Sequence, residues 1–202
     1  MSLKNISFPA EDTHYICPTW DEMNDLAFKI SQAIIKDKHK FDRIVTLAKG
    51  GWPLTRSMVD FLNVDKVASI GVKFYRRGIY KKLAQPEIYQ DLPEPIKDEN
   101  ILLFDDVADS GGSLEFVKRH LEVQGSHTIT TATLFYKPWS TFKPDYYGHE
   151  TDAWIAFPYD AVHDGMFLLA KNWQAKGLSK PTIISRLTKM GINQSWIKYY
   201  LK

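Results

Sequence analysis

Three aspartates within five residues, followed at once by a turn of small residues, are the part of this chain best suited to chemistry. Residues 101–114 read Ile-Leu-Leu-Phe-Asp-Asp-Val-Ala-Asp-Ser-Gly-Gly-Ser-Leu. The four apolar residues predict a strand buried on both faces, ending where Asp105 and Asp106 stand. Ser110-Gly111-Gly112-Ser113 predicts a turn feeding a helix that starts at Ser113 or Leu114. Such a turn presents backbone N–H groups at the positive end of a helix dipole, which is a seat for phosphate. The glycines let the backbone approach an anion, and the serines add hydroxyl donors. Carboxylates cannot hold the same phosphate, but they suit sugar hydroxyls or a divalent cation. Together these residues call for a phosphorylated sugar with free hydroxyls. A Walker-type Gly-x-x-x-x-Gly-Lys is absent, and an EF-hand starting at Asp105 would need an oxygen ligand where Val107 stands.

The rest of the chain must position this run. At 202 residues, with 44% hydrophobic and 25% charged residues, it can bury a sizeable core and is not of disordered composition. A net charge of +2 gives no electrostatic reason to expect a nucleic-acid partner. The single Cys17 rules out an internal disulfide and fits a reducing compartment. No apolar run reaches membrane-spanning length and the first residues lack a basic-then-apolar leader, so no membrane partner and a cytoplasmic location are expected. Alternating helical and strand patterns predict an α/β fold, with a mainly parallel twisted sheet flanked by helices.

Thr19 and Glu22 have capping-box spacing ahead of a helical stripe at Met23, Leu26, Ala27, Ile30, Ala33 and Ile34, with the helix ending near Lys38. Arg43 to Leu47 predicts a buried strand. A second glycine turn follows it, Ala48-Lys49-Gly50-Gly51, and Pro53 opens a helix to about Leu62. Val67 to Tyr75 predicts the next strand. Lys73, Arg76, Arg77, Lys81 and Lys82 then crowd a stretch without an acid, a run that suits a solvated face, a nucleic acid or the charge of phosphoryl oxygens. From there to Asn100, Gly78, Pro86, Pro93 and Pro95 break any pattern, and a long loop is expected.

Leu114, Phe116, Val117 and Leu121 supply a helix face, with Gly125 as its C-terminal cap. Ile129 to Tyr136 predicts a strand that delivers Lys137-Pro138 at its carboxyl end, where ligands gather in open α/β sheets. Asp152-Ala153-Trp154-Ile155-Ala156-Phe157-Pro158-Tyr159-Asp160 reads alone as an apolar strand with a core tryptophan. Beyond Gly165, helical patterns at Met166–Lys176 and Thr182–Met190 precede a last segment from Ser195. Tyr199 and Tyr200 suggest that the terminus is docked, on the core or on a second copy.

Residues 101–114 resemble the signature of type I phosphoribosyltransferases: hydrophobic strand, two acids, two small residues, then Asp-Ser/Thr-Gly-Gly-Ser/Thr. Lys137-Pro138 with the Trp154-Ile155 and Pro158-Tyr159-Asp160 segments is similar to the base-binding hood of microbial xanthine-guanine phosphoribosyltransferases. The resemblance implies transfer of phosphoribosyl from phosphoribosyl pyrophosphate to a 6-oxopurine base (hypoxanthine, guanine or xanthine), giving a nucleoside monophosphate and pyrophosphate. Asp105 and Asp106 would hold the ribose hydroxyls and Asp109 to Ser113 the 5′-phosphate, through Asp109, Ser110, Gly111, Gly112 and Ser113. Ala48, Lys49 and Gly50, with Arg76 or Arg77 from a mobile catalytic loop, would hold pyrophosphate. In the family a cis peptide often turns an N–H of this loop inward, which points to the Ala48–Lys49 bond. Lys137 would meet an exocyclic oxygen of the base, Trp154 would stack on its ring, and the Ile155 main chain would read its pyrimidine edge. Asp106 and Asp160 would hold Mg²⁺, and Asp109 would take the proton from the attacking nitrogen. The implied domains are a core over 1–164, including a hood over about 137–164, and a helical appendage over 165–202. A homo-oligomer, dimer or tetramer, is expected. Two alternatives stand beside this: a non-catalytic phosphoribosyl-pyrophosphate sensor that regulates nucleic acid, and a transferase for adenine or a pyrimidine.

Overall fold

The structure, a computed structural model, describes residues 3–9, 11–75 and 82–201. In chain order the elements are β1 (Asn5–Ile6), β2 (Tyr15–Ile16), α1 (Trp20–Lys36), β3 (Arg43–Ala48), α2 (Trp52–Leu62), β4 (Lys66–Tyr75), β5 (Lys82–Gln90) and β6 (Asn100–Ala108). There follow α3 (Gly112–Val123), β7 (Thr128–Tyr136), β8 (Tyr146–Glu150), β9 (Trp154–Ile155), α4 (Leu169–Ala175), α5 (Lys180–Lys189) and α6 (Gln194–Tyr200). Packing divides them into two compact units, Met23–Thr151 and a smaller one made of Met1–Glu22 with Asp152–Lys202. Among the described residues no helix is long and apolar enough to cross a membrane.

The larger unit is a six-stranded sheet in the order β5-β4-β3-β6-β7-β8. Every neighbouring pair is parallel except β4 with β5, as the run of strand-helix alternations predicts. Its strands are apolar on both faces because helices cover both. Val45, Leu47, Ile101 and Leu103 join Leu114, Val117 and Leu121 of α3 in one core, while Ile44, Leu102 and Phe104 are fully buried. The Thr19–Glu22 capping box forms as expected, the Thr19 backbone N–H donating to Glu22 Oε2 at 2.8 Å and Glu22 N–H to Thr19 Oγ1 at 3.2 Å.

Two corrections belong to this sheet. Part of the loop expected between Tyr75 and Asn100 is the antiparallel strand β5, whose Pro86 is tolerated because it lies on an edge strand with an irregular register. Lys73, read as part of a basic run without acids, faces Glu87 across that pairing and lies 3.3 Å from it. The acid arrives from the neighbouring strand rather than from nearby sequence. Arg76 and Arg77 lie outside the described residues.

The smaller unit carries a three-stranded sheet, β1-β2-β9, with α4, α5 and α6. Its core takes Ile6, Phe8 and Tyr15 from one end of the chain and Met166, Leu169, Trp173, Ile183, Leu187, Met190, Ile192 and Ile197 from the other. The boundary expected at 164 is therefore not where the packing divides the chain, since Ala156 shares that core with the C-terminal helices. Within it Arg186 Nη1 meets Glu11 Oε1 at 2.8 Å, with side chains 11% and 2% exposed. Tyr15 Oη donates to Glu11 Oε2 at 2.7 Å. The Arg186 guanidinium lies over Phe8 and Trp173, 4.7 and 5.2 Å from the ring centroids. The terminus docks through Ile197, which is buried, whereas Tyr199 and Tyr200 are exposed.

Candidate active site

The strand register makes the site. β6 pairs with β3 only as far as Thr46 opposite Phe104, but with β7 as far as Ala108 opposite Tyr136. Residues 105–108 therefore overhang the last pairing with β3, with β7 paired on one side and no strand paired on the other. The acids do not end the strand, as their polarity led one to expect; β6 continues through them to Ala108. Polar residues are tolerated there because the overhang faces a cleft, the usual ligand position in a parallel sheet.

That cleft holds about 640 Å³ and is lined by Asp105, Asp106, Val107, Ala108, Asp109, Ser110, Gly111, Gly112, Ser113, Leu114 and Thr141. Every residue of the central run expected to hold sugar or phosphate lines it. Gly111 precedes α3 with φ +82°, a conformation glycine takes without strain. A Cβ there would also lie 2.6 Å from Ser140 Oγ and 2.7 Å from Phe142. The first N–H groups of α3 lie beside this turn, the arrangement that seats anions.

The turn after β3 reaches the same acids. A Cβ on Gly50 would fall 2.5 Å from both carboxylate oxygens of Asp106, so only glycine lets that side chain occupy its place. The Ala48–Lys49 peptide is cis, and Lys49 is exposed. Asp105 Oδ1 accepts the Asp106 backbone N–H at 2.9 Å. Burial first, and the adjacent Asp106 carboxylate second, push the Asp105 carboxyl well above the usual carboxylate range. Hydroxyl donors or a cation between these two acids would relieve that repulsion, so the oxygen donors fit Mg²⁺, which takes one or two carboxylates together with ligand oxygens.

The loop after β7 is fastened to the acid loop. Lys137 N–H donates to Ala108 O at 3.1 Å, and the Thr141 N–H and hydroxyl donate to Ser110 O at 3.1 and 3.0 Å. Lys137 is buried, 5% exposed. Its Nζ lies 5.2 Å from the centroid of the Trp139 ring, and Trp139 Nε1–H donates to Asp109 Oδ1 at 3.2 Å. Sequence reasoning missed Trp139 and Thr141. The available signal was that both closely follow Lys137-Pro138 at the carboxyl end of a strand.

In the smaller unit Trp154 is half-buried and packs edge-on against Tyr15, with centroids 6.0 Å apart. The expected apolar strand shrinks to Trp154–Ile155, at the edge of its sheet. Trp154 N–H and Ala156 N–H donate to His14 O and Ile16 O, both at 2.8 Å. By strand alternation the Ile155 N–H and C=O then point to the open edge of β9. Asp160 falls in a group with His163 and Asp164 whose ligand atoms lie within 4.8 Å of one another. Burial, then Asp164, raises its pKa. Burial pushes the Cys17 thiol up to about 12, away from the thiolate form that reacts.

Comparison with known proteins agrees with this geometry. A family profile described as phosphoribosyl transferase domain matches residues 19–164. Purine phosphoribosyltransferase from Pyrococcus horikoshii is 31% identical with a TM-score of 0.63, over 72% of this chain and 93% of that one. Helicobacter pylori xanthine-guanine-hypoxanthine phosphoribosyltransferase shares the fold, at 21% identity and a TM-score of 0.60 over 81% of this chain and 99% of that one. Hypoxanthine-guanine phosphoribosyltransferase of Crithidia fasciculata is 24% identical over 99 residues, 47% of each chain, so the match spans about half the length of that curated relative. A match over residues 19–164, with every element of the acid loop lining one cleft, makes this chain a member of the phosphoribosyltransferase family.

Proposed function

We propose that this protein transfers the 5-phosphoribosyl group from phosphoribosyl pyrophosphate to a 6-oxopurine, forming the nucleoside monophosphate and releasing pyrophosphate. The observation that supports it most is the single cleft lined by all of Asp105 to Leu114, with carboxylates at one part and a helix N-terminus at another. The names of the relatives, each a purine or hypoxanthine-guanine type transferase, agree with that substrate class.

In this reading Asp105 and Asp106 hold the ribose hydroxyls and Ser110 to Ser113 seat the 5′-phosphate. The turn at Ala48, Lys49 and Gly50 holds the departing pyrophosphate, with Arg76 or Arg77 beside it. Asp106 in the larger unit and Asp160 in the smaller are each candidate Mg²⁺ ligands, and the ion would offset the negative charge of pyrophosphate. Displacement at the anomeric carbon builds positive charge on the sugar and negative charge on the leaving group, so the protein contributes mainly by positioning and charge. Asp109 accepts the proton from the base nitrogen that attacks. For the base, Trp154 offers a flat face to a flat heterocycle and the Ile155 main chain offers a donor and an acceptor. The Lys137 ammonium is a donor only, which favours a 6-oxo over a 6-amino group.

The test is to supply Mg²⁺, phosphoribosyl pyrophosphate and each nucleobase in turn, and to measure pyrophosphate release. Release with at least one of hypoxanthine, guanine and xanthine, and none with adenine or uracil, is the expected result. No release with any base would overturn the enzyme reading, and release with adenine or uracil alone would overturn the 6-oxopurine.

A further inference from the structure

Trp139 is not used by the sugar, phosphate or base assignments above, yet its indole N–H donates to Asp109 Oδ1 at 3.2 Å. Burial does not account for its place, since the side chain is 56% exposed. Its backbone, however, is fixed relative to Asp109. The Lys137 N–H bond to Ala108 O and the two bonds from Thr141 to Ser110 O bracket Asp109 on one side and Trp139 on the other. Ser140 and Phe142 close over Gly111. The hydrogen bond from Trp139 therefore joins side chains whose main chains are already held together.

An indole N–H is a donor only and cannot itself accept the proton of the base. It ties one oxygen of Asp109, a side chain that lines the cleft, and leaves the other as an acceptor. An exposed aspartate otherwise turns freely about its side-chain bonds, and only part of its orientations place an oxygen within reach of a reacting nitrogen. We propose that Trp139 is a positioning residue for Asp109, holding the carboxylate in the orientation from which it accepts the proton of the incoming base. The same ring carries Lys137 Nζ near its face at 5.2 Å from the centroid, so it links the proton acceptor to the lysine assigned to the base. This inference rests on the reading of Asp109 as proton acceptor.

Trp139→Phe separates the two contacts, because it removes the N–H and keeps an aromatic face under Lys137. The kcat and both KM values should be measured for Trp139→Phe, Asp109→Asn and the double variant. Loss of one oriented hydrogen bond is expected to lower kcat of Trp139→Phe roughly tenfold with both KM values within about twofold. Added to Asp109→Asn it should lower kcat no further, because no proton acceptor is left to orient. A merely structural tryptophan would not give that lack of additivity. An impaired Asp109→Asn beside an unchanged Trp139→Phe, or full additivity in the double variant, overturns the positioning role alone. Wild-type kcat in Asp109→Asn overturns the assignment of Asp109 itself.

Discussion

The larger unit builds its candidate site on an aliphatic parallel sheet, where the residues proposed to hold sugar and phosphate sit on one strand overhang and two glycine turns. The smaller unit packs aromatic rings around a buried ion pair and offers a tryptophan and an edge-strand main chain. A phosphorylated sugar is recognised by charge and by backbone N–H groups, which demand fixed backbone geometry; a strand end and a helix start supply it. A nucleobase is recognised by a flat face and a few hydrogen bonds, which in the proposed reading a short edge strand on an aromatic core would supply. The difference is one of material, and substitution in each unit should damage a different quantity.

The largest expected effect is in the smaller unit. Arg186→Met leaves Glu11, 2% exposed, without its nearest cation and removes the guanidinium from Phe8 and Trp173. Breaking a buried pair on one side costs about 3 kcal/mol or more, and urea unfolding followed by tryptophan fluorescence should register it. A change below about 0.5 kcal/mol, typical of surface substitutions, would show that the ring packing carries this core without the ion pair.

Gly50→Ala addresses the larger unit. Its Cβ would displace the Asp106 carboxylate from 2.5 Å, and a misplacement of about 1 Å in such a site costs roughly a hundredfold. The expected result is weaker phosphoribosyl pyrophosphate binding by calorimetry with an unchanged melting temperature. Unaltered affinity would remove Asp106 from the sugar grip. Trp154→Ala should have the smallest effect, raising KM for the base about tenfold, as loss of a stacking platform worth roughly 1–3 kcal/mol implies. KM for phosphoribosyl pyrophosphate should stay put. An unchanged base KM would leave Trp154 as a core residue packed on Tyr15.

The same contrast explains what was legible in the sequence. The acid loop could be read because its parts are contiguous: a strand, three carboxylates and a glycine turn lie within residues 101–114. Even so, the strand runs beyond the expected end at Asp105 and Asp106, to Ala108, because where a strand stops depends on its pairing, here with β7 as far as Tyr136. β5 was hidden by Pro86 and polar neighbours that an edge strand accepts. The smaller unit was split at 164 in the sequence reading because its core joins Ile6, Phe8 and Tyr15 to residues more than a hundred and forty positions away. No local pattern reports such a meeting. Lys137 was expected at the strand end, but its burial and the indole beside it depend on the bonds that fasten residues 137–141 to the acid loop.

The division of labour among the three aspartates is the centre of the account, and Asp109→Asn tests it most directly. Its kcat and its dissociation constant for phosphoribosyl pyrophosphate should be measured beside those of Asp106→Asn. Removing a general base lowers turnover by about 10²–10⁴-fold, so Asp109→Asn should lose kcat on that scale while its dissociation constant stays within about twofold of the unmodified protein. Asp106→Asn should show the reverse emphasis, with binding weakened most. Equal losses of kcat and affinity in Asp109→Asn would contradict the account and place Asp109 with the sugar and phosphate grip.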